Sequence, residues 1–296
     1  MAPRCRRSRT KRRFFFFWCS PERSARLLVL PTMSRHVRVT CTLLLCISFF
    51  LPGAQAGVSH QRARAGDVGY FSGSEFDVQE LDARESGSGQ TPLMAASLAG
   101  QHLVVEALLA LGADYSIPEK DGYTPPHGVA FQGRPEAASV LIQHDIRVDE
   151  AHQDGYTPLH RTVWGGKSNH IETAKILVQD GAVDADALDA AGFTAAHHAA
   201  ERGWDEMVQA LLHVGADPNI QTRQHGDTLL HLAVKSQKPK MVRAVLVAGG
   251  DDTVKNAKQL TAHDLAEQMP SAEVRALFLQ SKESAKGEAS NAPDEL

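Results

Sequence analysis

The sequence predicts an all-α solenoid of stacked helix–turn–helix units joined by short β-hairpin loops. Three observations predict it. A threonine recurs at Thr91, Thr124, Thr157, Thr194, Thr228 and Thr261, at intervals of 33, 33, 37, 34 and 33 residues. A step held that well over six units marks a repeat array. The helical pattern each threonine opens ends, in four units, at a glycine nine residues on: Gly100, Gly133, Gly166 and Gly203. Finally, all four cysteines (Cys5, Cys19, Cys41, Cys46) precede residue 57. The repeats therefore have no disulfide or thiolate metal site, and must bury their apolar faces against one another.

Within a unit the elements follow from residue chemistry. Threonine accepts a bond from a free N–H of the first helical turn. Proline next to it (Pro92, Pro125, Pro158) loses an N–H that has no helical partner, and its φ is already helical. After the glycine, a second helix carries closely spaced apolar residues, as in Leu103, Val104, Ala107 and Leu108, or Met207, Val208, Leu211 and Leu212. It stops at a glycine suited to the left-handed conformation: Gly112, Gly181, Gly215 or Gly249. A polar stretch with Asp-Gly or similar then makes the hairpin into the next unit.

The motifs themselves are Thr91-Pro92-Leu93, Thr124-Pro125-Pro126-His127, Thr157-Pro158-Leu159-His160, Thr194-Ala195-Ala196-His197 and Thr228-Leu229-Leu230-His231. Gly-Ala-Asp follows the second helix at 112–114 and 215–217. In these residues, over about 77–280, the chain closely resembles the ankyrin repeat family. The resemblance implies partner binding on the concave side, built from hairpins and first helices.

Departures from the pattern fall in two units. Repeat 3 has four extra residues, three in "GGKSNH" (165–170) and one near Val183. Repeat 2 carries Pro126 in place of a buried leucine, Gly128 inside its first helix, and Asp145 where the second-helix glycine is expected. A helical glycine costs about 0.5–1 kcal/mol and a left-handed non-glycine roughly 1 more, so repeat 2 is expected to be the weakest unit. "FDVQELDARESGSG" (76–89) reads as a hairpin half-unit before repeat 1. Repeat 6, polar at its start ("TAHDLAEQ"), reads as a C-terminal cap.

Outside the array, residues 33–56 have the layout of a secretory signal peptide. Arg35 and Arg38 form a basic start, Cys41 to Leu51 is an apolar run too short to span a membrane, Pro52-Gly53 break it, and Ala54-Gln55-Ala56 is a small-x-small cleavage site before Gly57. The other reading of that run is a buried core helix. Residues 1–32, with "RCRRSRTKRRFFFFW", form a basic leader: either Met33 is the true start or the signal has a long leader. Residues 57–76 read as a flexible linker. The polar stretch 281–296 reads as a disordered tail whose last four residues, Pro-Asp-Glu-Leu, are similar to the Lys-Asp-Glu-Leu retrieval signal of the ER lumen.

Composition narrows the function. Residues 1–56 hold 11 of the 31 Lys and Arg and one acid, Glu22, leaving the remainder at a net charge of −14. A body that acidic argues against nucleic-acid binding. There is no Walker-type glycine loop, no Gly-x-Ser-x-Gly elbow, and no Asn-x-Ser/Thr acceptor after residue 56. The histidines His127, His160, His197 and His231 form a row. A metal ladder is the sharper reading of it, but units about 10 Å apart cannot share a metal whose ligands sit near 2 Å. The family resemblance implies a structural hydrogen-bonding role instead. His198, adjacent to His197, replaces a usual apolar residue and is expected half-buried. The chain is expected to bind no cofactor or metal and to be no enzyme.

The candidate binding surface is more specific. The residue before each threonine reads Gln90, Tyr123, Tyr156, Phe193, Asp227, Leu260, and the exposed first-helix positions add Phe131 and Trp164. Five aromatics thus gather on one side of repeats 2–4, with Asp121, Asp154 and Asp227 among the acids around them. They are either hot-spot contacts for a partner or padding between hairpins. As a contact surface they call for a partner patch that is apolar with a basic rim. The expected function is a monomeric, non-catalytic scaffold or inhibitor of an unidentified protein, in the ER lumen or secreted. The alternatives are a regulatory subunit of a separate enzyme, or a cytosolic or nuclear adaptor if the signal is not used.

Overall fold

The computed structural model describes residues 52–279, with side chains from 57 onward. The leader, the core of the signal segment (33–51) and the 281–296 tail lie outside the described residues. The helices are α1 (Pro52–Ala65), α2 (Val68–Ser72), α3 (Pro92–Ala99), α4 (His102–Ala110), α5 (Pro125–Gln132), α6 (Pro135–Gln143), α7 (Pro158–Thr162), α8 (Ser168–Gln179), α9 (Ala195–Glu201), α10 (Asp205–His213), α11 (Leu229–Lys235), α12 (Pro239–Val247) and α13 (Ala262–Gln268). A last helical stretch covers 272–279. The odd-numbered helices stack on one another as one layer and the even-numbered helices α2 to α12 as a second. This is the all-α solenoid that the period predicts.

All six threonines are helix N-caps with extended backbone. Between units the hairpin loops carry no strand ladder among the described residues, where the β-pairing is the isolated bridge Lys255–Thr261. Each loop is instead closed by backbone bonds across its neck, such as Glu119 N–H to Tyr123 C=O at 2.9 Å and Asp189 N–H to Phe193 C=O at 2.9 Å.

Three expectations require correction. The 57–76 stretch is not a flexible linker: it holds most of α1 and all of α2, and it buries Ser59, His60, Ala63 and Phe71 against the array. It is a further, degenerate unit. Gly57-Val58-Ser59-His60 stands where Thr-Pro-Leu-His stands elsewhere, so counting threonines misses it. In α4 the buried residues are Val104, Val105 and Leu108, while Leu103 is 55% exposed. And Gly181 is not left-handed. Ala182 takes that conformation, at φ 49°, because the extra residue near Val183 moves the turn along by one.

Two rows of polar bonds join successive units. In the first, each motif histidine uses both ring nitrogens. His160 Nδ1 accepts from Thr157 N–H (3.3 Å) and Oγ1 (2.8 Å), while its Nε2–H donates to Phe193 C=O in the next hairpin (3.0 Å). His197 and His231 repeat this, reaching Ile220 C=O and Leu260 C=O at 3.0 Å each. His60 reaches Gln90 C=O at 2.8 Å. In the second row, a residue at the start of four second helices donates back to a carbonyl at or just past the end of the preceding unit's first helix. Gln101 bonds Arg64 C=O (3.1 Å), Arg134 bonds Leu98 C=O (3.3 Å), His170 bonds Phe131 C=O (3.1 Å), and Lys238 bonds Gly203 C=O. These carbonyls have no intrahelical partner, so the neighbouring unit completes each helix end.

Repeat 2 is the thinnest link in both sequence and structure. Thr124 makes no backbone cap bond, and Asp145 is held at φ 56°. At three other junctions the outer loops are tied, by Asp82 to Asp114 N–H (2.9 Å), Asp186 to Asp217 N–H (2.9 Å) and Asn219 to Asp251 N–H (2.7 Å). Between repeats 2 and 3 that place is instead an open cleft of about 330 Å³, lined by Ile142, Ile146, Arg147 and Asp180. Gly128 is partly compensated, because a Cβ there would sit 3.0 Å from Met94 Cε and 3.1 Å from Leu98 Cδ2. The neighbouring unit approaches closely where that side chain is missing. Hydrogen exchange is therefore expected to be faster in α6 than in α10. Equal protection of the two would contradict this ordering.

Candidate functional site

The side chains that rise from the hairpin returns and first helices of repeats 2–4 form one continuous stack. Its centre is Arg161, on α7 four residues after Thr157. The guanidinium lies over Tyr123 (4.4 Å to the ring centroid) and Tyr156 (4.7 Å). It also donates to the Tyr123 hydroxyl and to Asp154 Oδ2, the latter at 2.5 Å. Tyr156 continues to His198 (centroids 5.4 Å apart), and His198 stacks on Phe193 at 5.2 Å and 22°. On the other side Tyr123 meets the His152 ring at 4.1 Å. Trp164 stands edge-on to Tyr156 at 6.1 Å, and the Arg202 guanidinium covers one indole face at 3.9 Å.

The stack has a strongly connected acid side. Asp154 accepts from Tyr156 N–H (3.0 Å) and pairs with His152 (2.9 Å) as well as Arg161. Burial works against its charge, but these contacts hold its carboxyl below the usual value. Asp189 behaves likewise: it is buried, yet Phe193 N–H (2.8 Å) and His198 Nε2 (2.7 Å) keep its carboxyl low. Burial raises the hydroxyls of Tyr123 and Tyr156 above their ordinary value, so both are neutral hydrogen-bonding groups near neutral pH.

The structure thus divides the expected binding residues. Phe131 and Trp164 are exposed, at 46% and 42%. Asp121 is exposed, while Tyr123, Tyr156 and Asp154 are half-buried. Phe193 is 8% exposed because His198 covers its ring. Asp227 is 1% exposed; it accepts from Lys235 Nζ and from Asn256 Nδ2 (2.9 Å), and it ties repeat 5 to repeat 6. Phe193 and Asp227 are therefore internal spacers, and their expected contact with a partner is withdrawn. Tyr123 and Tyr156 fill both roles considered for them: they brace neighbouring hairpins and leave ring edges at the surface.

Sequence reasoning passed over Arg161, Arg202 and His152. A usable signal existed: Arg161 and Trp164 stand three apart in the helical pattern that Thr157 opens, a spacing that puts them on one side, with two tyrosines on the adjoining hairpins. Gly128 also has a second role. Its position corresponds to Arg161 and His198 in the next two units. Without a side chain it leaves a recess of about 210 Å³ lined by Met94, Leu98, Tyr123, Phe131 and Arg161. A second recess of about 380 Å³ beside Phe193 is lined by Glu201, Asp227, Leu232 and Lys235.

The motif histidines have both nitrogens engaged, and burial depresses them, His127 and His197 to about 4. Among the described residues no three His, Cys, Asp or Glu side chains are grouped to hold a metal ion. No described helix is long and apolar enough to cross a membrane.

Comparison with known proteins agrees with the fold. The family model described as "Ankyrin repeats (3 copies)" matches residues 105–189 and 166–257, and the single-repeat model matches 88–120. NF-kappa-B inhibitor delta of Mus musculus is 31% identical over 57% of this chain and 46% of its own length. The E3 ubiquitin-protein ligase KEG of Arabidopsis thaliana is 28% identical over 57% of this chain, but only 11% of its own length. The chain thus spans less than half of these relatives. Among solved structures, the ankyrin repeat domain of Bcl-3, described as a unique member of the IkappaB protein family, superposes with a TM-score of 0.63 and 27% identity. That match covers 75% of this chain and 97% of the domain.

Proposed function

Because this chain belongs to the ankyrin repeat family, we propose that it is a non-catalytic protein-binding scaffold or inhibitor that uses the Tyr123–Arg161–Trp164 face, and that it works in the secretory pathway. One observation carries the binding part. Phe131 and Trp164 are large apolar side chains left in the open on a face whose other aromatics are braced by ring, guanidinium and carboxylate contacts. Rigid aromatic groups held at a surface lose little entropy when a partner covers them. The inhibitor form is favoured by two similar proteins, NF-kappa-B inhibitor delta and the IkappaB family member Bcl-3.

The secretory location rests on the ordered features of residues 33–56. Cleavage before Gly57 would keep Ser59, His60 and Ala63, which are buried among the described side chains of α1 and all follow that bond. N-terminal sequencing of the cellular protein is expected to begin at Gly57, and an intact residue 33 or earlier would overturn the location. For the binding face, affinity capture with the full chain is expected to lose its specific partners on Phe131→Ala/Trp164→Ala. An unchanged partner set would sink that assignment.

A further inference from the structure

We propose that this face receives an amphipathic α-helix of the partner. The helix lies along the repeat axis, with a basic flank toward the hairpins and an acidic flank toward the turns between first and second helices. This rests on the partner-binding reading above and specifies its occupant. Three observations carry it.

The first is spacing. Leu98 and Phe131 lie on consecutive first helices and Trp164 in the turn just after α7, each seven residues after its threonine. Packed helices stand about 8–10 Å apart, so these side chains form a row with a step of about 10 Å. An α-helix advances 1.5 Å per residue, so positions i and i+7 return to one side after about 10.5 Å. An extended strand presents same-side residues about every 6.6 Å and falls out of step with the row. The row matches a helix.

The second is relief. Within this row a recess bordered by Gly128 lies between Leu98 and Tyr123, at the position where the next two units carry Arg161 and His198. It is walled by Met94, Leu98 and Phe131 and suits one large aliphatic anchor from the helix stripe.

The third is charge. Each first helix starts at a hairpin and ends at an inter-helix turn, so the groove has two walls of different origin. The hairpin wall holds Glu119, Asp121 and Asp154 against Lys120. The opposite wall holds Arg134, Lys167 and Arg202, with Glu201 adjoining them. Arg161, between the walls, is already engaged with Asp154. A partner with one sign of charge throughout meets repulsion at one wall. A helix with opposite signs on its two flanks meets attraction at both.

The test uses synthetic peptides of about 18 residues, long enough to cross a row of roughly 20 Å with a turn to spare. Each carries leucine at helical spacing. The first has lysines along one flank and glutamates along the other. The second has the same composition with signs alternating on both flanks. The third is the first with two prolines in mid-stripe, and a fourth has lysine on both flanks. Exchanging the flanks only reverses the direction in which the helix lies, so the alternating peptide is the discriminating control.

Fluorescence anisotropy with the full chain at low ionic strength should show the polarised peptide binding about tenfold tighter than the alternating one, and tighter still than the proline-broken one. Lys167→Glu/Arg202→Glu makes both walls acidic and should transfer the preference to the lysine-flanked peptide. Gly128→Leu should weaken the polarised peptide, with circular dichroism confirming the fold. Equal affinity of the polarised and alternating peptides, or undiminished binding of the proline-broken one, overturns the proposal. If no peptide binds while Phe131→Ala/Trp164→Ala still abolishes partner capture, the helix is wrong and the face stands. If capture also persists, both fall.

Discussion

Acidification from pH 7.5 to 5 is expected to lower the unfolding free energy by about 4 kcal/mol through His127 and His197 alone. Burial depresses both imidazoles from 6.5 to about 4 in the folded chain. In the unfolded chain they titrate near 6.5. Their contribution is therefore fully present above pH 6.5 and is lost as pH falls toward 4. Over this interval each group loses about 1.4 pH-equivalents of difference, at 1.36 kcal/mol per unit. Burial is the largest cause, and the hydrogen-bonded tautomer acts in the same direction. Nδ1 of His197 must accept from Thr194 N–H (3.1 Å) while Nε2–H donates to Ile220 C=O (3.0 Å). A protonated ring has no acceptor left, so the cap bond breaks. Burial depresses His160, His170 and His231 as well, and they add to the slope. Urea unfolding at the two pH values measures the effect. His127→Gln/His197→Gln should flatten the pH dependence whatever it does to stability at pH 7.5. A flat wild-type profile over this range would contradict the account.

Gly165→Ala is expected to cost about 3 kcal/mol, and Gly166→Ala only about 1. The two glycines are adjacent but serve different needs. A Cβ on Gly165 would lie 1.7 Å from His170 Nε2 and 2.0 Å from Cε1. That ring is 4% exposed and also lies under Gly133, where a Cβ would come 2.6 Å from Nδ1. It cannot move aside without giving up its bond to Phe131 C=O. Gly166 has nothing within 4 Å but sits at φ 63°, so alanine there meets only backbone strain. His170→Ala removes the obstacle. In a double-mutant cycle it should recover more than 1 kcal/mol of the Gly165→Ala loss. If Gly165→Ala is no worse than Gly166→Ala, the ring is not the constraint.

The pair shows where sequence reading stops. Gly166 was legible, since nine residues after the threonine a helix must end and glycine tolerates the left-handed turn. Gly165 was not legible as a constraint, because its need arises from a ring five residues on that the insertion folds back against it. The same limit applied at the front of the array. Ser59, His60 and Ala63 sit on a helix whose motif has lost its threonine, so the first unit looked like a linker until its packing was visible. Within the candidate face, the aromatics could be placed from the repeat register. Which of them remain accessible depended on neighbours the motif does not specify: His198, five residues on, over Phe193, and Asn256, in the next hairpin, on Asp227.

What the residues alone determine here is the local and periodic part. Threonine caps, N1 prolines, helix-ending glycines and a step near 33 residues are short-range chemistry repeated, and they suffice for a helical solenoid with its hairpins on one side. Tertiary structure decides what depends on the neighbour. It stacks Arg161 between two tyrosines, leaves a recess at Gly128, sets acids against bases across the groove, and makes His170 the donor that finishes another unit's helix. Most of these contacts join residues roughly 30 to 40 positions apart. Their energies come from distances and desolvation that no single unit contains, so only the stacked array could reveal them.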